Sequence, residues 1–261
     1  MQRIRMRYTK RGRLRFTSHR DFQRAFERAL RRAGVPMAYS AGFSPHPKVS
    51  YANAAPTGTA SEAEYLEIGL AEERDPAEVL ALLDASLPPG LDLVDAVQAR
   101  TAEFAERLAA SHWELRLAGV EPEEAERAAA VLLAAGSVEV KRQTKKGLRT
   151  FDARAAVVSL SVAPPATSPD GSGPVPCAIL RLVVRHLTPA VRPDDVLSGL
   201  RVLADLAPPV PASVTRLAQG PLDEETGTVT DPFALDRDAA QTALTAAAGQ
   251  QAAGALPGSA G

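Results

Sequence analysis

Residues 3–34, RIRMRYTKRGRLRFTSHRDFQRAFERALRRAG, combine the pattern of a strand with that of an amphipathic helix. Over residues 3–8 arginines alternate with apolar side chains, and a period of two predicts a half-buried strand. Residues 10–12 predict a turn, after which residues 13–16 resume the alternation as a second strand. Ser18 is placed to cap a helix, because apolar residues then recur every three or four positions up to a glycine.

The order of elements after this helix is typical of a split βαβ, or ferredoxin-like, arrangement. Residues 37–41, 49–54 and 63–70 predict three short strands. Asp75 opens a second helix, and residues 91–97 predict a closing strand. The first hundred residues thus contain the elements of one antiparallel sheet with helices packed on it.

A similar order recurs in the second half of the chain. The predicted elements are a strand over 112–117, a helix from Pro122, strands within 138–142, 148–162 and 178–187, a helix over 194–206 and a strand over 213–218. We therefore expect an α+β protein of tandem ferredoxin-like units with antiparallel sheets. The units are expected over residues 1–99 and 112–220, with a linker over 100–111.

The C-terminal segment over residues 221–261 has lost this periodicity. After residue 238 it is rich in alanine, glycine and glutamine, and these side chains offer little bulk to pack. We therefore expect an irregular to disordered C-terminal tail. The alternative is a frayed helix, which the alanines would support.

Composition limits the classes of function that the chain can have. Of its 261 residues 45% are hydrophobic, yet no apolar run approaches the roughly 18–20 residues of a membrane span. The N-terminus has no apolar signal-peptide core, so a cytoplasmic location is expected. The single Cys177 excludes an internal disulfide, and with His112 and His186 it shows no metal-ligand spacing. Neither a metal site nor a cofactor is predicted.

The net charge of −1 conceals a strong asymmetry along the chain. Residues 1–50 hold 13 lysines and arginines against two acids, a net charge of +11. The other 211 residues hold 17 bases against 29 acids, a net charge of −12. Such a basic block indicates either an anionic partner or compensation by the acidic remainder of the chain.

The arginines of the predicted N-terminal strands share one face of the sheet. They are Arg3, Arg5, Arg7, Arg13 and Arg15. Like charges that face each other across strands are destabilising by about 0.2–1 kcal/mol per pair, and a phosphate backbone would reverse that sign. The alternative is compensation by acids on neighbouring strands, namely Glu64, Glu67, Glu72 or Asp92. We favour anion binding, because the basic block has only two acids of its own.

The first helix and the loop after it extend this basic region. On the helix Arg20, Arg24 and Arg28 recur every four residues, followed by Arg31 or Arg32. In the loop over residues 42–48 two prolines restrict the backbone around His46, and Ser44, His46 and Lys48 suit a phosphate or a ribose. The alternatives are a merely solvated helix face and a stiff connection. The predicted RNA-binding residues are Arg5, Arg7, Arg13, Arg15, His19, Arg20, Arg24, Arg28, Ser44, His46 and Lys48.

Two further sets of residues have functional interpretations. His19 and His46 would form an acid–base pair for metal-independent RNA cleavage if they converged on one phosphate. A second basic cluster is predicted in a projecting hairpin, although cationic turns are common on ordinary surfaces. Its members are Lys141, Arg142, Lys145, Lys146 and Arg149.

Residues 16–21 (FTSHRD), 28–36 (RALRRAGVP) and 38–48 (AYSAGFSPHPK) resemble the radical SAM-associated protein family. The likeness continues through Pro56-Thr57-Gly58, Ser61-Glu62 and Glu64–Leu66, is dense over residues 3–70, and departs at Arg20, where an apolar residue is expected. That family is a domain of unknown function found beside, or fused to, radical SAM enzymes with a cobalamin-type domain. The resemblance therefore implies a separately encoded radical SAM protein as partner.

The resemblance does not imply radical SAM chemistry in this chain. That chemistry requires three cysteines in a CxxxCxxC run, and the chain has one cysteine. A second similarity, of architecture alone, is to the CRISPR repeat-processing endoribonucleases, which are tandem ferredoxin-like proteins with a catalytic histidine near the first helix.

Three functional hypotheses follow from the sequence. The preferred one is a non-catalytic accessory module that binds RNA and positions it for a radical SAM enzyme. The second is an endoribonuclease that uses His19 and His46. The third is a protein–protein adaptor whose basic face docks onto an acidic partner.

Overall fold

The computed structural model describes residues 1–144, 147–164 and 176–254 and has one main sheet with helices packed against it. The strands are β1 (Gln2–Lys10), β2 (Val49–Ala52), β3 (Ala60–Leu70), β4 (Leu93–Gln98), β5 (Ala110–Ala118), β6 (Glu139–Thr144), β7 (Gly147–Asp152), β8 (Val157–Ala163), β9 (Cys177–Arg185), β10 (Ser213–Gly220), β11 (Leu222–Asp223) and β12 (Thr228–Val229). The helices are α1 (His19–Arg32), α2 (Pro76–Asp84), α3 (Phe104–Arg107), α4 (Pro122–Ala134), α5 (Pro193–Ala204) and α6 (Ala234–Gly254).

The first half of the chain supplies the strand order β4-β1-β3-β2, with every neighbouring pair antiparallel. The apolar residues of β1 alternate with its arginines, so one side of the strand can be buried under the helices. On that side Ile4, Met6 and Tyr8 join the same core as Phe22 and Phe26 of α1. Tyr8 and Phe22 stack with ring centroids 4.2 Å apart.

The second half of the chain supplies the order β10-β5-β9-β8, again with antiparallel neighbours. Its core unites the inward side of these strands with α4 and α5, through residues such as Leu115, Leu132 and Leu200. The hairpin of β6 and β7 lies between α4 and β8 in the chain and forms a separate two-stranded sheet. The predicted mixture of helices with mostly antiparallel sheets is confirmed.

The two halves meet where β10 pairs in parallel with β3, through Thr215 opposite Ala60 and Arg216 opposite Ser61. This short ladder makes the strands of both halves one continuous sheet. At the junction Arg216 forms a buried ion pair with Glu64 of β3. Each half thus has its own core, and a short parallel ladder and a charged contact join the two halves.

Residues 13–16, predicted as a strand, instead belong to a 3-10 helix over Gly12–Phe16. Gly12 has φ +53°, a left-handed conformation that reverses the chain after β1. Two backbone hydrogen bonds, from Leu14 N to Arg11 O and from Thr17 N to Leu14 O, then hold the turn. Charged and apolar residues therefore continue to alternate beyond the end of β1, but residues 13–16 pair with no strand of the described structure.

The segments predicted as linker and tail contain ordered elements. The predicted linker over 100–111 includes α3 and the start of β5. The predicted tail includes the hairpin of β11 and β12 and the helix α6, because Phe233 and Asp236 find buried positions against the first half. Residues 255–261 of the predicted tail lie outside the described residues. Among the helices described, none has both the length and the hydropathy that crossing a membrane requires.

Candidate nucleic-acid interface

Helix α1 presents one apolar and one basic side. Ser18 caps its N-terminus as predicted, since the Ser18 hydroxyl accepts a hydrogen bond from Asp21 N at 3.2 Å. The apolar side, with Phe22 and Phe26, is buried in the core. The opposite side therefore faces solvent along the length of the helix.

The exposed side of α1 carries arginines without carboxylate partners. In the part of the chain that the structure describes, no ion pair or hydrogen bond involves the side chains of Arg20, Arg28, Arg31 or Arg32, and all four are exposed. Arg24 Nη1 lies 4.0 Å from a carboxylate oxygen of Asp21, and both side chains are more than half exposed. Such an exposed pair neutralises little charge. The side is thus strongly cationic.

The 3-10 helix ahead of α1 adds cations and an aromatic ring to this surface. Arg13 is exposed, and the guanidinium of Arg15 lies 4.8 Å from the centroid of the Phe16 ring. Phe16 is 58% exposed, and Phe43, in the loop that comes after α1, is fully exposed. Exposed aromatic rings beside unpaired arginines are typical of surfaces that bind single-stranded nucleic acid.

Residues 41–48, one residue more than the predicted loop, form a loop that is closed by two hydrogen bonds between Ser40 and His46. Ser40 N donates to His46 O at 2.9 Å, and His46 N donates to the Ser40 hydroxyl at 3.0 Å. Gly42 has φ +126°, a conformation that side-chain-bearing residues rarely adopt. The side chains of Ser44 and His46 are exposed at the tip of this closed loop.

The loop lies at the end of β3, a few residues beyond the end of α1. Met37 forms a bridge with Leu70, and Lys48 N donates to Ala38 O at 2.8 Å. These contacts hold both ends of the loop to the sheet. Residues 33–40 therefore connect the basic last turn of α1 to the loop along the end of β3.

A groove of about 390 Å³ beside the loop brings His46 and Lys48 together with Arg3 of β1. Glu67 also lines the groove, and Arg3 Nη1 lies 3.2 Å from its carboxylate. Lys48 and His46 are both exposed. The sequence-predicted loop residues thus share one groove with a strand arginine.

His19 and His46, the predicted acid–base pair, have different surroundings. His19 Nε2 lies 3.0 Å from Gln23 Nε2, and its ring packs edge-on against Tyr51 at 5.0 Å. No hydrogen bond or ring contact joins the two histidines in the described part of the chain. The structure therefore places both on the exposed surface of the first half without bringing their rings into contact.

The arginines of β1 point away from α1, because they alternate with the residues of its core side. Arg5 is 1% exposed, so its guanidinium is not available to an external phosphate. It bonds to Glu67 at 2.9 Å and to Asp236 of α6 at 2.5 Å. The predicted compensation by Glu67 therefore operates at Arg3 and Arg5. Arg7 lies half-buried on the same covered side.

Sequence reasoning missed the residues that cover this side of β1. They come from α3 and from the C-terminal segment, where Phe104 and Phe233 pack on Tyr65 with centroid distances of 5.7 and 5.3 Å. The guanidinium of Arg5 lies 4.8 Å from the Phe104 ring centroid. One residue in the sequence could have indicated the start of α6, namely Asp231. Its carboxylate accepts a hydrogen bond from Phe233 N at 2.9 Å, as residues at helix starts do.

Three members of the second basic cluster, Lys141, Arg142 and Arg149, lie on the hairpin of β6 and β7. Arg142 is neutralised, since its Nη1 lies 2.5 Å from Asp195, and its guanidinium lies 4.7 Å from the Phe151 ring centroid. Lys141 and Arg149 are exposed. Lys145 and Lys146 lie outside the described residues.

Comparison with protein families gives one match, to a family described as an uncharacterized protein conserved in bacteria (DUF2344), over residues 3–193. The chain belongs to this family. The DUF2344 match runs from β1 to the first residue of α5, so it includes the whole of α1 and the loop over 41–48. It ends before Arg216 and Asp236, the residues that join the halves and cover β1. No curated protein matches the chain.

Proposed function

We propose that this DUF2344 protein is a non-catalytic accessory module that binds RNA through α1, the 3-10 helix before it and the loop over 41–48. The observation that carries the proposal is the row of exposed arginines on α1. Among the described residues Arg20, Arg28, Arg31 and Arg32 form no ion pair, and Arg24 has only an exposed pair with Asp21. Guanidinium groups suit phosphate geometry, and a row of them without acids attracts a polyanion.

The aromatic residues favour RNA over an acidic protein as the occupant of this surface. Phe16 and Phe43 are exposed, Phe16 lies next to the guanidinium of Arg15, and bases stack on such rings. The loop side chains Ser44, His46 and Lys48 supply donors for phosphate or ribose oxygens. Single-stranded RNA presents all three groups together, namely phosphate, ribose and an unstacked base.

The remainder of the chain supports a role beside another protein. We propose that the two strand sets β4-β1-β3-β2 and β10-β5-β9-β8 are tandem ferredoxin-like units, and that the acidic portion after residue 50 contacts the partner. Resemblance of residues 3–70 to the radical SAM-associated family makes a separately encoded, cytoplasmic radical SAM enzyme the proposed partner. The accessory role is then to position the RNA for that enzyme.

The test is binding of a short fluorescein-labelled single-stranded RNA, followed by anisotropy over a range of salt concentrations. The double variant Arg24→Glu and Arg28→Glu should weaken binding by about tenfold or more. It should also flatten the slope of log K against log salt by about 1.4, because each lost phosphate contact contributes about 0.7.

The control is Arg127→Glu with Arg201→Glu, which makes the same change of charge on α4 and α5. Both arginines are exposed, so folding should be unaffected. Equal weakening by the two double variants would contradict a specific interface on α1. No RNA binding by the wild-type chain, with salt-dependent binding of an acidic protein, would favour the adaptor hypothesis instead.

A further inference from the structure

A cavity of about 360 Å³ lies on the covered side of β1, between the sheet and the C-terminal segment. The charged and phenolic residues that line it are Arg7, Tyr65, Asp95, Asp231 and Arg237. It lies across the sheet from α1, and it shares no lining residue with the groove beside the loop over 41–48. Its size falls within the range of about 300–1,000 Å³ that is usual for small-molecule sites.

Arg7 is the cation of this cavity that lacks a partner. Its Nε is buried without a hydrogen-bond partner, and within the described residues its guanidinium forms no ion pair. Asp95 lies opposite Arg7 in the ladder of β1 and β4 but pairs with Arg237 at 2.6 Å, and Asp231 also pairs with Arg237. Arg237 thus pairs with both carboxylates, whereas the guanidinium of Arg7 pairs with neither of them.

Tyr65 supplies a second open donor in the same cavity. In the described part of the structure its hydroxyl has no hydrogen-bond partner, although the residue is 4% exposed. Burial raises the pKa of Tyr65 well above its usual value, with the charges of Arg7, Asp231 and Asp95 acting on the same hydroxyl. The phenol therefore stays protonated. Tyr65 lies directly opposite Arg7 in the ladder of β1 and β3, so the two side chains are on the same side of the sheet.

We propose that this cavity binds a small oxyanion, a carboxylate or a phosphate group, that accepts hydrogen bonds from the Arg7 guanidinium and the Tyr65 hydroxyl. A guanidinium donates two parallel bonds to the two oxygens of such a group. Buried donors that lack a partner in the protein are satisfied when the ligand is bound. The two arginines and two aspartates of the cavity sum to zero charge, so the anion is held by donors that lack a partner and not by an excess of positive charge.

The experiment uses the full chain labelled with ¹⁵N-arginine, titrated with sodium phosphate and separately with sodium acetate at constant ionic strength. The Nε–H resonance of Arg7, identified by its loss in Arg7→Lys, should shift saturably with at least one of these anions. Tyr65→Phe should raise the Kd of that anion by roughly tenfold, since a hydrogen bond to a charged group is lost. Arg7→Gln should abolish saturable binding measured by calorimetry.

The control Arg127→Gln removes an exposed arginine of α4 and should leave the Kd unchanged. Saturation by phosphate and not by acetate identifies a phosphate ligand, and the reverse identifies a carboxylate. The proposal is overturned if neither anion shifts the Arg7 resonance more than sodium chloride does. It is equally overturned if Tyr65→Phe and Arg7→Gln bind with the wild-type Kd.

Discussion

Asp236 holds together the charged cluster on the covered side of β1. Its side chain is fully buried and accepts hydrogen bonds from Arg5 at 2.5 Å, Arg107 at 3.2 Å and the Thr101 hydroxyl at 2.6 Å. Burial alone would raise the pKa of this carboxyl group. Hydrogen bonds from Thr101, Arg100 N and Arg5, together with the charge of Arg5, outweigh burial and hold the pKa below its usual value.

Asp236→Asn should destabilise the protein by about 3–5 kcal/mol, because it leaves the guanidinium of Arg107 without a carboxylate among the described residues. Buried Arg5 keeps Glu67 but loses the shorter of its two ion pairs. The measurement is urea denaturation of both proteins at neutral pH. Asp231→Asn is the control, since its ion pair with Arg237 is close to half exposed and is worth at most about 1 kcal/mol. Equal losses of stability in the two variants would contradict a special role for Asp236.

The same carboxyl group gives a pH dependence whose sign follows from the direction of its pKa shift. A lowered pKa in the folded state means that Asp236 stabilises the protein above about pH 4, the usual value for aspartate. That contribution is lost as the pH falls through the folded-state pKa. The free energy of unfolding of the wild type should therefore fall more steeply below about pH 4 than that of Asp236→Asn. The measurement is urea denaturation of both proteins at a series of pH values.

The β1 arginines show which properties of a single residue the sequence pattern predicts and which it does not. Alternation correctly places Arg3, Arg5 and Arg7 on the side of β1 opposite its apolar residues. It cannot reveal that Asp236, 231 positions from Arg5, covers that side. A carboxylate distant in sequence carries no periodic signal, whereas Glu67 on the adjacent strand was recognisable as a possible partner.

At the scale of elements, the sequence predicts best those segments whose periodicity and caps agree. Helix α1 has both: Ser18 caps it as predicted, and the residues that it buries, Phe22, Phe26, Ala29 and Leu30, recur every three or four positions. Residues 13–16 show the alternation alone, and Gly12 with a positive φ turns them into a 3-10 helix. In the loop over 41–48 the prolines indicate rigidity, but the closing bonds between Ser40 and His46 depend on three-dimensional contacts.

The helix α6 should divide into a part that stabilises the fold and a part that does not. Deleting residues 239–261 removes side chains that are exposed or half-exposed over the described positions 239–246, and should leave the Tm nearly unchanged. Deleting residues 231–261 also removes Phe233 and Asp236, both buried, and should lower the Tm by ten degrees or more, on the order expected for several kcal/mol.

Both truncations are measured by differential scanning fluorimetry and circular dichroism, with the full chain as reference. The shorter deletion is the control for the loss of chain length. A large fall in Tm after that deletion would show that the alanine-rich part of α6 contributes to folding. Little effect of the longer deletion would contradict the packing of Phe233 against Tyr65 and Phe104.

At the scale of the whole molecule, the arginines of the basic N-terminal region fall into two groups, one paired within the protein and one exposed on α1. Arg3 and Arg5 of β1 are compensated by Glu67 and Asp236, from the acidic remainder of the chain. The arginines on the exposed side of α1 remain without such partners in the described structure. Composition predicts that a basic block needs anions, but only the fold separates the arginines neutralised internally from those left for an external phosphate.

The junction of β3 and β10 makes the two halves one folding unit. Arg216 and Glu64 are each at most 4% exposed at the side chain, and Glu64 also accepts from Ala55 N at 2.9 Å. Burial acts to raise the pKa of Glu64, but the charge of Arg216 and the hydrogen bonds to the carboxylate outweigh it and lower the pKa. A buried, ionised pair therefore lies where the sheet passes from one half to the other.

We expect the described sheet to unfold in a single calorimetric transition, with equal calorimetric and van't Hoff enthalpies. Glu64→Gln should lower that Tm by on the order of 10 °C, because Arg216 is left buried without a counter-charge at a cost of about 3–5 kcal/mol. Glu62→Gln on the same strand is the matched control, since its partner Arg11 is half exposed and the change should cost at most about 1 kcal/mol. Two resolved transitions in the wild type would mean that β3 and β10 pair too weakly to couple the halves, and that each half folds independently.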